Sequence, residues 1–235
     1  MNERVISYTE GDDSFDAFVA APAGDGTKPA VLVCHAWGGR DEFAENKARA
    51  LAELGYVGVA VDVYGVGKRG TDNDSCAALM TPLLENPNLL RRRLAAAFQA
   101  VRTQNDVDPD RVASIGFCFG GLCSLLMARM GLPLRGATSF HGLLKVGEPL
   151  DTTPKARMCV LHGQDDPMVP PQDVGAWAAE MKRVGGDWQL HAYPGVAHAF
   201  TVPEANDADS GMVYDAGADA RSWATAKAFL AEVLG

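Results

Sequence analysis

No apolar run in this sequence approaches the ~20 residues needed to cross a bilayer, so no membrane segment is expected. The first residues also lack a basic start followed by an apolar block. They carry Glu3, Glu10, Asp12, Asp13 and Asp16 instead, and no secretory signal is expected. There is no CxxC, no HExxH and no Walker-type glycine loop, so neither a metal nor a cofactor is expected. Positive charge is scarce: 21 Lys and Arg stand against 30 Asp and Glu, a net charge of −9. That balance argues against nucleic acid or an anionic membrane as partner. The one basic run, Arg91-Arg92-Arg93, precedes an apolar stretch at helical spacing and reads as a solvated helix face. Cysteine is sparse too. The five, at 34, 76, 118, 123 and 159, are odd in number and lack paired spacing, which fits free thiols in a cytoplasmic setting.

What the chain does have is an alternation of strand and helix patterns over 235 residues, a length one α/β domain can reach. Arg4 to Tyr8 and Phe15 to Ala21 alternate apolar and polar residues, as half-exposed strands do. Pro29–Cys34, Val57–Tyr64, Val112–Phe117, Arg135–Phe140, Arg157–His162 and Trp188–Tyr193 read as further strands. The first of these is apolar throughout, as burial on both faces requires. Helices are expected over Asp41–Gly55, Asn88–Thr103, Leu122–Met130, about Pro170–Arg183 and Ala216–Leu234. Residues 65–87 read as irregular loop or short helix, Asp106–Asp110 as a turn, and 203–213 as a polar loop. Strand–helix alternation implies a mostly parallel sheet with helices on both faces, one domain over residues 1–235.

Gly116-Phe117-Cys118-Phe119-Gly120-Gly121 lies between an expected strand and an expected helix. A nucleophile elbow has this form, with small residues where the two backbones meet and the nucleophile on a strained turn. Cys118 would then sit at a helix N-terminus, which favours the thiolate, and the Phe119 N–H would face the reacting oxygen. A buried structural cysteine in a glycine-rich turn is the alternative, and the pentapeptide alone does not separate the two. In such folds the acid and then the histidine follow in the chain. Asp166, in Gly163-Gln-Asp-Asp166-Pro, is the expected acid, and the adjacent Asp165 reads as surface turn. His198, on the loop beyond the last strand, is the expected base. His35, His141, His162 and His191 lie in or at the ends of strands and read as satisfied structural histidines. His198 would take the proton of Cys118, and Asp166 would orient the ring. The loop His35-Ala36-Trp37-Gly38-Gly39 follows the strand that supplies the second oxyanion donor, the N–H of Trp37, or of Ala36 one register earlier.

These segments, with Val61-Asp-Val-Tyr64-Gly65, Gly195-Val-Ala-His198-Ala-Phe200 and Arg221-Ser-Trp223, resemble the dienelactone hydrolase family over nearly the whole length. The resemblance implies a single-domain α/β-hydrolase with a Cys118–His198–Asp166 triad and no cofactor. Better-known members carry a glutamate in the oxyanion loop, where this chain has Ala36 (or His35). They also bind substrate carboxylate through an arginine just after the catalytic histidine segment, where this chain has Thr201-Val202.

The expected activity is therefore hydrolysis of a small-molecule carboxylic ester or lactone through an acyl-cysteine. Substrate contacts are expected from His35, Ala36, Tyr64 and Phe200, and the apolar neighbours lean toward a neutral or apolar acyl group. A thioesterase-type hydrolase, a thiol redox protein using Cys118 and Cys123, and a binding protein without turnover are the alternatives. A monomer or small homo-oligomer is expected.

Overall fold

The computed structural model of the protein describes residues 1–145 and 147–235. Among the described residues, ten strands and six helices follow one another as β1 (Asn2–Glu10), β2 (Asp13–Ala21), β3 (Lys28–Cys34), α1 (Glu42–Glu53), β4 (Val57–Val61), α2 (Asn73–Glu85), α3 (Pro87–Arg102), β5 (Val107–Phe117), α4 (Phe119–Arg129), β6 (Gly136–Phe140), β7 (Arg157–Gly163), α5 (Pro171–Val184), β8 (Trp188–Tyr193), β9 (Asn206–Asp207), β10 (Met212–Val213) and α6 (Ala216–Leu234). Eight strands form one sheet in the order β1-β2-β4-β3-β5-β6-β7-β8. The β1/β2 and β2/β4 pairs are antiparallel. From β4 to β8 all pairs are parallel, because each connection crosses over through a helix or a long loop.

Successive side chains of a strand point to opposite faces, and here both faces are buried. In β3, Ala30, Leu32 and Cys34 join the core built with α3, α4 and α5. Val31 and Val33 join a second core with α1 and α6. Strands flanked this way must be apolar throughout, as β4 and Pro29–Cys34 of β3 are. Each fully buried Val or Leu contributes roughly 1.5–3 kcal/mol relative to exposure.

The structure corrects several boundaries. Residues 73–85 form a full helix, started by a reciprocal capping box in which Asp72 accepts the Ser75 N–H and the Ser75 hydroxyl accepts the Asp72 N–H. The turn expected at Asp106–Asp110 is an interruption inside β5. Its pairing with β3 shifts between Lys28↔Val107 and Ala30↔Val112, leaving Asp108-Pro109-Asp110 outside the ladder. Helix α4 starts at Phe119, one turn before Leu122. The loop at 203–213 contains the β9–β10 pair. Arg92 is a solvated residue bonded to Glu10, but Arg93 is buried, donating to Asp13 and to the Val63 carbonyl. No helix among the described residues is long and apolar enough to cross a membrane.

Candidate active site

Cys118 occupies the junction of β5 and α4 with φ 54° and ψ −119°. A side-chain-bearing residue held in the left-handed region costs on the order of 1–3 kcal/mol, so the surroundings must enforce it. They do so by close backbone approach. A Cβ on Gly116 would lie 1.9 Å from the Gly120 carbonyl oxygen, and one on Gly120 would lie 2.1 Å from that of Cys34. Only hydrogen fits at either place. The turn leaves the Cys118 side chain half-buried at the C-terminal edge of the sheet.

His198 follows β8, and its ring is buried. Nδ1 lies 2.7 Å from Oδ2 of Asp166, which follows β7. The other carboxylate oxygen of Asp166 accepts the Met168 N–H at 2.8 Å, so the carboxylate is held from both sides. Asp165 is exposed, its N–H donating to the Val196 carbonyl, and it does not reach the histidine. Nε2 of His198 is buried with no closed hydrogen bond. Burial alone would lower the His198 pKa; Asp166 and then Cys118, acting on the other side of the ring, outweigh it and raise it to about 10. The histidine backbone is a rung of a small sheet. Its N–H donates to Gly211 at 2.8 Å and its carbonyl accepts from Val213 at 3.0 Å, beside the bridge to Met212.

His141, read from sequence as structural, belongs to this site. It follows β6 with φ 38°, and its Nδ1 accepts the Cys118 N–H at 3.2 Å. Its Nε2 lies 2.8 Å from the Thr201 hydroxyl, and its ring meets that of His198 edge-on with centroids 5.0 Å apart. Burial, reinforced by His198, pushes its pKa well below 6.5, so the ring is neutral. No short sequence motif marks this residue; only the adjacency of β5 and β6 puts it beside Cys118. His162 is also buried, and burial lowers its pKa.

Trp37, which lines the cleft, and the buried Phe119, next in the chain after Cys118, have backbone N–H groups with no partner among the described residues. Phe119 is the first residue of α4, where the helix leaves its amides free. The cleft, about 480 Å³, is lined by Ala36, Trp37, Cys118, His141 and His198 among others. Of the residues expected to touch substrate, only Ala36 lines it. His35, Tyr64 and Phe200 are at most 2% exposed and point into the protein. His35 and Tyr64 instead contact the backbone of the loop Ala36–Gly39, and Phe200 packs against His141 and Tyr193. The wall carries Asp41, Asp72, Glu204 and Asp207 but no Lys or Arg among its described residues. Thr201 is occupied by His141, and Val202 faces the cleft.

Cys123 is buried in the core below Cys118, and burial pushes its thiol well above the ordinary value. A protonated, enclosed thiol is a poor resolving partner, which weighs against the redox alternative. No group of three or more His, Cys, Asp or Glu among the described residues is placed to hold a metal ion.

Comparison with known proteins gives a consistent answer. The profile of the Dienelactone hydrolase family matches residues 15–234. A crystal structure described as a dienelactone hydrolase-like promiscuous phosphotriesterase from metagenomic libraries superposes with a TM-score of 0.93. It is 32% identical, covering 100% of this chain and 99% of that one. A protein of Aquifex aeolicus named "Putative carboxymethylenebutenolidase" is 26% identical over 98% of this chain and 99% of its own. A Bradyrhizobium protein named "Probable 2-oxo-3-(5-oxofuran-2-ylidene)propanoate lactonase" is 27% identical over 78% of each chain.

Proposed function

The chain belongs to the dienelactone hydrolase family and is a hydrolase of carboxylic esters or lactones, and from that premise we propose that it works through a Cys118–His198–Asp166 triad and an acyl-cysteine. The observation that carries the reading is His198. Its Nδ1 is fixed on Asp166 at 2.7 Å while its other nitrogen is left for Cys118 on the strained turn.

In the first half-reaction Nε2 of His198 carries the proton released by Cys118, and the sulfur attacks the substrate carbonyl carbon. The carbonyl π pair moves to oxygen, where the N–H groups of Trp37 and Phe119 receive the charge. Collapse breaks the C–O bond, and the imidazolium protonates the departing alkoxide. A lactone keeps that alcohol tethered to the acyl group. In the second half-reaction His198 takes a proton from water, hydroxide adds to the thioester, and the carboxylic acid and the Cys118 thiol are released. Asp166 keeps the ring oriented and stabilises the imidazolium in both halves.

The substrate is a neutral ester or lactone. A carboxylate-bearing lactone would need a cation, and the described cleft wall carries four carboxylates and no Lys or Arg. The likeness to a promiscuous phosphotriesterase supports activated neutral phosphotriesters as a second class, because attack at phosphorus builds negative charge on the same kind of oxygen. The protein acts without a cofactor and in the cytoplasm, as a monomer or small homo-oligomer.

The test is mass spectrometry after brief exposure to p-nitrophenyl acetate and butyrate, with peptide mapping. The expected result is an acyl adduct on Cys118, absent in Cys118→Ala, with turnover of that folded variant lowered by at least ~10³-fold. Undiminished turnover by Cys118→Ala would sink the proposal.

A further inference from the structure

Three successive carbonyls of the oxyanion loop are each held by a donor from a different part of the chain. The Ala36 carbonyl accepts the Gly39 N–H at 3.1 Å and lies 2.6 Å from Nδ1 of His35. The Trp37 carbonyl accepts the Tyr64 hydroxyl at 2.9 Å. The Gly38 carbonyl accepts the Gly70 N–H at 2.9 Å. A peptide's N–H points opposite to its carbonyl, so fixing the Ala36 carbonyl aims the Trp37 N–H, and fixing the Trp37 carbonyl holds the next peptide and so the other side of the Trp37 Cα.

The proton on His35 can be assigned from its partners. The Val63 N–H, 3.3 Å from Nε2, can only donate, so Nε2 accepts and the proton resides on Nδ1, facing the Ala36 carbonyl. Tyr64 is anchored in turn: the buried carboxylate of Asp62 accepts the N–H of Tyr64 at 2.8 Å and of Gly65 at 3.1 Å. The Tyr64 ring lies against His35, centroids 4.7 Å apart, and stacks with Phe119, the other oxyanion donor, at 5.9 Å. One buried side chain thus touches both arms of the oxyanion site.

We propose that His35 and Tyr64, at the ends of β3 and β4, are positioning residues that hold the Trp37 N–H in the oxyanion geometry. The proposal rests on the hydrolase reading above, in which that N–H receives the charge of the tetrahedral intermediate. The clamp acts on the step that builds charge on oxygen and not on the sulfur nucleophile. A variant that loosens it should lose acyl transfer while keeping a reactive Cys118.

Tyr64→Phe is the decisive variant, because it removes one hydroxyl and keeps the ring packing. Three rates are compared with wild type: p-nitrophenyl butyrate hydrolysis, inhibition by a neutral aliphatic aldehyde, and alkylation of Cys118 by iodoacetamide. The aldehyde adds the sulfur to its carbonyl and places an oxyanion in the site. Alkylation forms a C–S bond as iodide leaves a saturated carbon, and it needs no oxyanion donor. The expected result is a kcat lower by ~10- to 100-fold with KM little changed, a matching rise in the aldehyde inhibition constant, and an unchanged alkylation rate. His35→Phe should give the same pattern; if it fails to fold, Tyr64→Phe decides alone. The clamp is overturned if Tyr64→Phe keeps kcat within twofold, or if alkylation falls with turnover. Failure of the hydrolase reading looks different: wild type itself would leave Cys118 unacylated by the ester.

Discussion

His141 and Cys118 are joined through the Cys118 backbone: the Cys118 N–H donates both to the Phe140 carbonyl at 3.0 Å and to Nδ1 of His141 at 3.2 Å. Because Nδ1 accepts, the His141 proton is on Nε2, aimed at the Thr201 hydroxyl. The site therefore contains two touching histidines of opposite character, one held neutral and one made strongly basic.

That contrast is visible by NMR. Long-range ¹H–¹⁵N spectra should show His141 as the Nε2–H tautomer, with shifts constant between pH 5 and 8. His141→Phe should cost ~1–3 kcal/mol, because it leaves the buried Thr201 hydroxyl without the Nε2–H that donates to it. A His141 signal that titrates in that range would contradict the assignment.

For Asp166→Asn, kcat/KM for activated esters should fall by ~10³- to 10⁴-fold while the protein stays folded. The amide can still accept the Met168 N–H, but it can present a donor to His198 and stabilise the wrong tautomer. Ester kinetics and thermal melting, measured on the same preparation, separate the two effects.

Stability should depend on pH through His198, whose pKa is raised from the ordinary 6.5 to about 10 in the folded state. The folded protein holds this proton more tightly than the unfolded chain does. The resulting stabilisation is complete below pH 6.5, shrinks as pH rises, and is gone above about 10. The urea-midpoint difference between wild type and His198→Gln should narrow across that window. Cys118→Ala should shorten the window from its upper end, since it removes one of the two groups that raise the pKa.

Gly120→Ala should destabilise by more than ~3 kcal/mol, because its Cβ would fall 2.1 Å from the Cys34 carbonyl oxygen and 2.5 Å from that of His35. Gly175→Ala, within α5 and with open space around the new Cβ, should instead stabilise by roughly 0.4–1 kcal/mol. Paired urea titrations test both directions.

Much of the architecture was legible because strands buried on both faces leave continuous apolar runs, and all eight strands of the main sheet coincide with such runs or with alternating ones. Helix α2 was legible only as a loop or short helix, because Asp72, Asn73, Asp74 and Pro82 carry loop chemistry and only the capping box of Asp72 and Ser75 marks a full helix start. His35 and Tyr64 were read as substrate contacts from their nearness to motifs. Nearness in sequence does not say which way a side chain points, and both point inward. The role of His141 is not legible in sequence, because its contact with Cys118 spans 23 residues and exists only once β5 and β6 pair.

The β9–β10 hairpin gives Asn206, Asp207 and Met212 to the cleft wall and is laddered directly onto the backbone of His198. On the proposed mechanism, selectivity and turnover are therefore not separable modules in this protein. A hairpin grafted from a relative to change which substrates are accepted would also reset the height and tilt of His198. Useful loop exchanges should be confined to those that keep the rungs at Gly211 and Val213, and substrate range should evolve here in step with rate.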